Sequence, residues 1–300
     1  MDVTTHRSVD RFSGINNVDS AERLFPVSID HRYVYPLREA NNVEIDNTFK
    51  ISSRSGYTSV QTGSDIHSMW SDNSTWLYVD GGTLYEMDVR YSATALRSEL
   101  TVGARMSYAV FNDRIYFTNG YEIGYVKANA ANSLPAPDRA FKEPLPAGQL
   151  IEYFMGCLYV AKDDTLYISD PLCDYYDIRR GYRRFANKIT LLRGVDDGIY
   201  VSDNKVWFMP GKGNEDFERK EAYPHKAIIY TDVMLPGSYI SEQISGNVAM
   251  WTGENGICLG DNSGGVLNLT EERYTFPARG RGTGFIRDSA NVRHYINSLF

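Results

Sequence analysis

The sequence has few cysteines and no long apolar run. Its three cysteines, Cys157, Cys173 and Cys258, are widely spaced. An odd number of distant cysteines is typical of a protein made in a reducing cytoplasm and argues against a disulfide scaffold. No stretch approaches the roughly 18 consecutive apolar residues of a membrane helix, so we expect no membrane span. The polar N-terminal residues predict no secretory signal.

Motifs for metal binding and catalysis are also scarce. The five histidines, at positions 6, 31, 67, 225 and 294, show no metal-ligand spacing. Neither G-x-x-x-x-G-K-[ST] nor G-x-S-x-G occurs. The 38 acidic residues include no pair that stands out as the two carboxylates of a glycosidase. We therefore predict no metal, no cofactor and no enzymatic activity, with a hydrolase as the weakest alternative.

Aromatic residues, by contrast, are abundant. The chain has 22 Tyr, 13 Phe and 4 Trp, and such residues favour the half-buried positions of β-sheets. Its formal net charge of −7 argues against general nucleic-acid binding. The composition thus indicates an all-β protein with an ample core.

A short hairpin pattern recurs along the chain. Residues 156–170, GCLYVAKDDTLYISD, place two apolar runs around a polar turn. Similar hairpins begin at positions 76, 114 and 198, and a looser copy begins at position 256. The repeat aligns Tyr78, Tyr116, Tyr159 and Tyr200 at steps of 38, 43 and 41 residues, and then Cys258 after 58 residues. These five residues are the predicted repeat core.

Self-similarity at about 40 residues is typical of propellers and solenoids. Because a lone hairpin is marginally stable, each unit must bury its apolar face against the next. We predict a β-propeller of five or six blades over residues 61–277, with a β-sandwich as the alternative. Residues 1–60 are predicted to form an extended N-terminal arm with entry strands, and residues 278–300 a C-terminal tail.

Three segments resemble a group of tailed-bacteriophage virion proteins. These are GINN near the start, REANNVEIDNTFKISSRSGYT at residues 38–58, and GVLNLT at residues 265–270. The second segment resembles A-N-V-x-I-D-x-x-G-x-x-x-x-R-x-G-Y, and Phe49 stands where Gly is common. The resemblance implies a β-propeller component of a tail nozzle, hub or head–tail connector.

The same resemblance implies a location in the virion, synthesis in the host cytoplasm, and assembly with other tail or connector proteins in a homo-oligomeric ring. The alternative function is a propeller module that binds a host receptor or glycan, since Tyr and Trp can stack on sugars. Exposed aromatic residues lining a central depression would favour that alternative.

Clusters of aromatic and basic residues are the predicted subunit contacts, because Tyr and Arg are favoured at protein interfaces. Contact with packaged DNA is the alternative for these clusters. Phe12 and Ile15 are added as residues that fill a pocket elsewhere. The predicted contact residues are Phe12, Ile15, Tyr175, Tyr176, Arg179, Arg180, Tyr182, Arg183, Arg184, Arg279 and Arg281.

Overall fold

The computed structural model describes residues 9, 11–46, 48–54, 56–72, 75–211, 218–271, 273–276, 280–289 and 292–300. Almost all regular structure in these residues is β-strand, with two short 3-10 helices at Ala21–Arg23 and Gly237–Tyr239. No helix in the described part of the chain is both long and apolar enough to cross a membrane. Arg279 lies outside the described residues.

Five four-stranded antiparallel sheets make up the middle of the described chain, and they follow one another in sequence. Sheet 1 contains β6 (Ile66–Ser71), β7 (Trp76–Asp80), β8 (Thr83–Met87) and β9 (Ala93–Arg97). Sheet 2 contains β10 (Ser107–Phe111), β11 (Arg114–Thr118), β12 (Ile123–Lys127) and β13 (Ala130–Asn132). Sheet 3 contains β15 (Leu150–Phe154), β16 (Cys157–Lys162), β17 (Thr165–Ile168) and β19 (Tyr182–Arg184). Sheet 4 contains β20 (Leu191–Val195), β21 (Gly198–Ser202), β22 (Val206–Pro210) and β23 (Lys220–Tyr223). Sheet 5 contains β24 (Val233–Pro236), β25 (Asn247–Gly253), β26 (Gly256–Gly260) and β27 (Val266–Asn268).

Smaller sheets complete the described chain. The N-terminal part forms a sheet of β1 (Phe12–Ile15), β3 (Arg32–Leu37) and β2 (Val27–Ile29), and a hairpin of β4 (Val43–Ile45) and β5 (Ile51–Ser53). The insertion strand β14 (Lys142–Pro144) pairs with β18 (Tyr175–Asp177). The C-terminal part forms a hairpin of β28 (Gly282–Ser289) and β29 (Val292–Leu299).

Apolar side chains from neighbouring sheets bury one another. One cluster joins sheets 3 and 4 through Phe154, Tyr159 and Ile199, and another joins sheets 4 and 5 through Tyr200 and Trp251. Clusters of the same kind lie between sheets 1 and 2 and between sheets 2 and 3. Because burial of apolar area is the main favourable term in folding, these interfaces are what stabilises hairpins that would be marginal alone.

The aligned tyrosines lie on corresponding strands. Tyr78, Tyr116, Tyr159 and Tyr200 lie on the second strands of sheets 1 to 4, and each is at most 3% exposed. Tyr116, Tyr159 and Tyr200 face the next sheet along the chain, whereas Tyr78 lies on the face of sheet 1 opposite to the one that packs against sheet 2.

Cys258 does not belong to this series. It lies on the third strand of sheet 5, where it is paired with Trp251 on the second strand. Trp251, which is fully buried, is the aromatic residue on the second strand of sheet 5, 51 residues after Tyr200, but it faces sheet 4 and its ring lies 5.5 Å from the Tyr200 ring. The looser hairpin copy thus corresponds to the third and fourth strands of sheet 5, one strand later than the copies before it.

The terminal parts of the described chain are more structured than the sequence indicates. An extended arm is not confirmed, because Phe12 and Ile15 lie in β1, which pairs in parallel with β3. The C-terminal tail is likewise a hairpin of two eight-residue strands. Hydrogen bonds between Asn17 and Thr275, in both directions, fasten the N-terminal sheet to the segment before this hairpin. The boundaries at residues 60 and 277 remain predictions.

Candidate functional site

Seven of the predicted contact residues lie together at the outer edge of sheet 3. Tyr175 and Tyr176 belong to β18, and Tyr182, Arg183 and Arg184 belong to β19, the outermost strand of the sheet. Arg179 and Arg180 lie in the turn between these strands. We call residues 175–184 the edge cluster. The fold therefore brings together these contact residues, which are the contiguous part of the predicted set.

Asp177 holds the edge cluster in place. Its side chain is 2% exposed and accepts hydrogen bonds from Arg179 Nε at 3.0 Å and Nη2 at 2.8 Å. Lys142 Nζ lies 3.2 Å from the same carboxylate and 2.5 Å from Asp170 Oδ2. The hydrogen bonds from Arg179 hold the pKa of Asp177 well below its usual range. The Arg179 guanidinium also lies 4.2 Å from the centre of the Phe141 ring. The turn is thus fixed from two sides.

Side chains in β19 are more open to solvent. Tyr182 is 39% exposed and Arg184 is exposed. Arg183 Nη1 donates to the carbonyl oxygens of Arg180 and Tyr182, which orders the guanidinium against its own turn. Arg219 of sheet 4 donates to the Arg184 carbonyl oxygen. The cluster therefore presents exposed aromatic and cationic groups on a rigid base, as protein-binding surfaces do.

The other predicted contact residues lie elsewhere. Phe12 and Ile15 are half-buried in β1, opposite Tyr35 and Leu37. Arg281 lies just before β28, at a separate depression described next. The structure therefore divides the predicted contact set among three places.

A depression of about 500 Å³ lies where loops leading into successive sheets converge. We call it the central depression. It is lined by residues 101–105, 119–121, 149, 162–163, 188, 190, 229–230 and 280–281. Four of these side chains are cations, Arg105, Lys162, Lys188 and Arg281, whereas Asp163 is the acidic member. These cations come from distant parts of the sequence, and so no local motif could have revealed the site.

Arg105 is tied to the C-terminal hairpin by hydrogen bonds. Its Nη1 donates to the Gly282 carbonyl oxygen at 2.8 Å, and its Nη2 donates to Thr283 Oγ1 at 3.1 Å. Its guanidinium lies 5.0 Å from the centre of the Tyr230 ring. Burial lowers the pKa of Arg105, and the nearby positive charge of Arg281 lowers it further. The groups that contact Arg105 are neutral, so they do not offset its positive charge.

Charged side chains of three successive sheets also meet. Arg193 of β20 donates through Nε and Nη2 to Asp232 Oδ2, at 2.8 and 2.6 Å, and its Nη1 lies 2.8 Å from Glu152 Oε2 of β15. Glu152 pairs with Tyr159, and Arg193 pairs with Tyr200. Asp232 directly precedes Val233, the partner of Met250, so the same register places Asp232 opposite Trp251. Glu152 and Arg193 therefore lie opposite aligned tyrosines on the first strands of sheets 3 and 4, and Asp232 lies one residue before the first strand of sheet 5.

Burial raises the pKa of Glu152 to about 7, and the Asp232 charge raises it too, while Arg193 opposes both effects. Arg193 Nη1 and Glu152 Oε2 form an ion pair, but their relative orientation does not meet the geometry of a hydrogen bond. In the described residues no three His, Cys, Asp or Glu side chains are grouped in a way that could hold a metal ion.

No protein-family model and no curated protein sequence matches this chain. Among solved structures, the chain is similar to one in the crystal structure of BBS1N in complex with ARL6DN, with a TM-score of 0.53 and 13% identity over 96% of this chain and 92% of that chain. It is also similar to the WD40 β-propeller domain of Doa1, with a TM-score of 0.44 and 11% identity over 68% of this chain and 67% of that chain. For the Neurospora crassa Pan2 WD40 domain the TM-score is 0.44 and the identity 13%, over 65% of this chain and 61% of that chain.

This chain spans about two thirds of the length of the two WD40 chains. At such identities the similarity concerns the fold alone. The expectation of an all-β chain with propeller-type architecture is confirmed at this level by five successive four-stranded sheets in the described residues and by the fold similarity with a TM-score of 0.53.

Proposed function

We propose that this protein is a protein-interaction module, and more specifically a structural component of a bacteriophage tail or head–tail assembly. The observation that carries the proposal is the edge cluster, where exposed Tyr182 and Arg184 stand on a turn fixed by Asp177. Rigid surfaces that combine Tyr and Arg lose little conformational entropy on binding. In this proposal the chain acts through subunit contacts in a homo-oligomeric ring within the virion, and it is not an enzyme.

Support for the phage assignment comes from the segment that resembles virion proteins. Phe49, at the position where those proteins often have Gly, has a φ of +65°. This left-handed backbone is the one that Gly adopts without steric cost, so the turn keeps the shape that a Gly there favours. Asp46 Oδ1 supports the turn by accepting from the amides of Thr48 and Lys50.

For the number of blades, we propose that the five four-stranded sheets are joined by a sixth unit built on the β28–β29 hairpin. The hairpin packs beside sheet 5, where Gly282 and Gly284 donate to the carbonyl oxygens of Ile229 and Tyr230. Arg287 of the hairpin forms an ion pair with Glu44 of β4 at 2.8 Å. The N-terminal strands would thus complete the unit that the C-terminal strands begin.

Assembly with the other virion proteins encoded by the same phage tests the proposed function. We expect sedimentation velocity and electron microscopy to show the chain in a ring or bound to a tail or connector protein. A Tyr182→Ala/Arg184→Glu variant should weaken this association by about tenfold or more, because it removes the exposed aromatic and cationic groups.

The matched control is Arg90→Glu, which reverses a charge in an exposed turn of sheet 1. It should assemble as the parent chain does. A monodisperse monomer that associates with no tail or connector protein of its phage would refute the virion assignment, and unchanged assembly of the double variant would refute the edge cluster as its contact.

The receptor or glycan alternative gains little from the arrangement of aromatic side chains. Tyr121 lines the central depression and is 71% exposed, but the Tyr230 ring in that depression faces Arg105. Strongly exposed aromatic residues such as Phe25, Tyr33 and Tyr57 lie in the N-terminal part instead. Stacking on sugars at the centre would require several open rings together.

A further inference from the structure

The central depression gathers four cations against one acidic side chain, that of Asp163. Arg105, Lys162, Lys188 and Arg281 all line it, and within the described residues none of the four lies in an ion pair. Like charges that lie close together repel one another, and a bound anion would offset this repulsion.

Two buried polar atoms in the lining also have no hydrogen-bond partner. They are Arg105 Nε and Thr190 Oγ1. A buried donor or acceptor left unpaired costs about 1–3 kcal/mol, so such groups often mark a place where a ligand binds. Their position in the same depression as the four cations adds an observation independent of charge.

The walls of the depression are held in place before any ligand arrives. Arg105 is fixed by Gly282 and Thr283. Glu122 accepts from Thr101 Oγ1 at 2.7 Å and also bonds Asn119, which ties two of the lining loops together. Preorganised walls reduce the entropy lost on binding.

We propose that the central depression binds an acidic peptide segment of a partner protein, with the carboxylates held by Arg105, Lys162, Lys188 and Arg281. This site is separate from the edge cluster and goes beyond the proposed structural role. A volume of about 500 Å³ accommodates a few side chains. Arginine is well suited to carboxylates because its planar donors can bind both oxygens.

Nucleic acid fits the depression less well. Single strands are bound along grooves where successive bases stack on exposed aromatic side chains. Here Tyr121 is open, whereas Tyr230 has Arg105 beside its ring. The net charge of −7 would also repel a long polyanion that extended beyond the depression. A short acidic segment avoids that repulsion.

Fluorescence anisotropy tests the site with a labelled peptide in which Asp and Glu alternate with apolar residues. The comparison ligands are the same peptide with Asn and Gln, and a single-stranded oligothymidine of similar length. We expect the acidic peptide to bind at least about tenfold more tightly than its amide counterpart, and the difference to shrink at high salt.

A Lys188→Glu/Arg281→Glu variant should weaken binding of the acidic peptide by at least about tenfold. Its control is Arg90→Glu/Lys50→Glu, which changes the net charge equally at exposed positions away from the depression. Circular dichroism and thermal melts check that both variants fold. The Tyr182→Ala/Arg184→Glu variant should bind the peptide normally, which separates this site from the proposed assembly contact.

Equal binding of acidic and amide peptides, no binding of either, or normal binding by the Lys188/Arg281 variant would overturn the proposal. Tighter binding of oligothymidine than of the acidic peptide would overturn it in favour of a nucleic-acid site. Equal loss of binding in the two charge-reversed variants would show that net charge, rather than the depression, attracts the peptide.

Discussion

At the scale of single residues, the most unusual group is Glu152, a largely buried carboxyl beside Arg193. Its pKa of about 7 lies well above its ordinary value of 4.5, because burial penalises the charged form more than Arg193 stabilises it. Arg193 is shared with Asp232, which takes two of its hydrogen bonds. One guanidinium therefore contacts two carboxyl groups, and the pKa of Glu152 stays raised despite this contact.

Glu152 should make the stability of the protein depend on pH. Because its folded-state pKa is raised, its stabilising effect is complete below about pH 4.5 and is lost as the pH rises through about 7. Relative to a Glu152→Gln variant, the parent chain should lose at most roughly 3.5 kcal/mol of unfolding free energy between these pH values, at about 1.4 kcal/mol per pKa unit.

Urea unfolding of the two proteins at intervals across this pH window measures the effect. Gln keeps the size of the side chain and can still accept from Arg193, so a constant offset between the proteins is expected in addition. Parallel pH profiles would contradict a raised pKa for Glu152.

At the scale of elements, the contacts between neighbouring sheets include a polar tie as well as apolar packing. The Tyr200 hydroxyl on β21 donates to the Asp261 carbonyl oxygen at 2.7 Å and lies 3.1 Å from that of Gly265. Both oxygens belong to the loop between β26 and β27. Gly260 leaves room for this approach, since a Cβ there would lie 2.7 Å from the Tyr200 ring. Sheet 4 thus holds a loop of sheet 5 directly.

A Tyr200→Phe variant should lose about 1 kcal/mol of unfolding free energy, because it removes this hydrogen bond and leaves the ring packing intact. Tyr78→Phe is the matched control, since Tyr78 is a buried tyrosine on the second strand of sheet 1. Denaturant unfolding measures both changes. A smaller loss for Tyr200→Phe than for Tyr78→Phe would contradict a bond of this strength.

Sequence patterns predict the β-hairpins of this chain better than its candidate binding surfaces. Hairpins such as residues 156–170 could be found because apolar alternation and turn residues are local signals. The misplacement of Cys258 arose because the second strand of sheet 5 carries Trp251 and no Tyr, so the repeat pattern was matched to the third strand instead. The edge cluster could be found because its residues are contiguous, whereas the central depression could not, since Arg105 and Arg281 meet only through the fold.

At the scale of the whole molecule, the two terminal parts of the described chain are joined to each other. Asn17 Nδ2 donates to the Thr275 carbonyl oxygen at 2.9 Å, and the Thr275 amide donates to Asn17 Oδ1 at 2.8 Å, across 258 residues of sequence. The ion pair between Glu44 and Arg287 makes a second link. It is partly exposed, so solvent screening leaves it a small contribution.

An Asn17→Ala variant should lower the free energy of unfolding by about 1 kcal/mol and accelerate hydrogen exchange at the Thr275 amide, because both bonds to Thr275 are lost. Asn41→Ala is a suitable control, since the Asn41 side chain bonds to Glu39, two residues away. Exchange at Thr275 that is unaffected in the Asn17 variant would show that these bonds do not hold the terminal parts together.

This joining has a mechanical consequence. The sheets between the two links are each drawn from nearly consecutive residues, so each has mainly its immediate neighbours to resist its removal. A stretching force on the two ends of the chain would first load the links at Asn17 and Glu44. Once these rupture, the sheets would peel away one after another, giving a sawtooth of separate extension events rather than a single collapse.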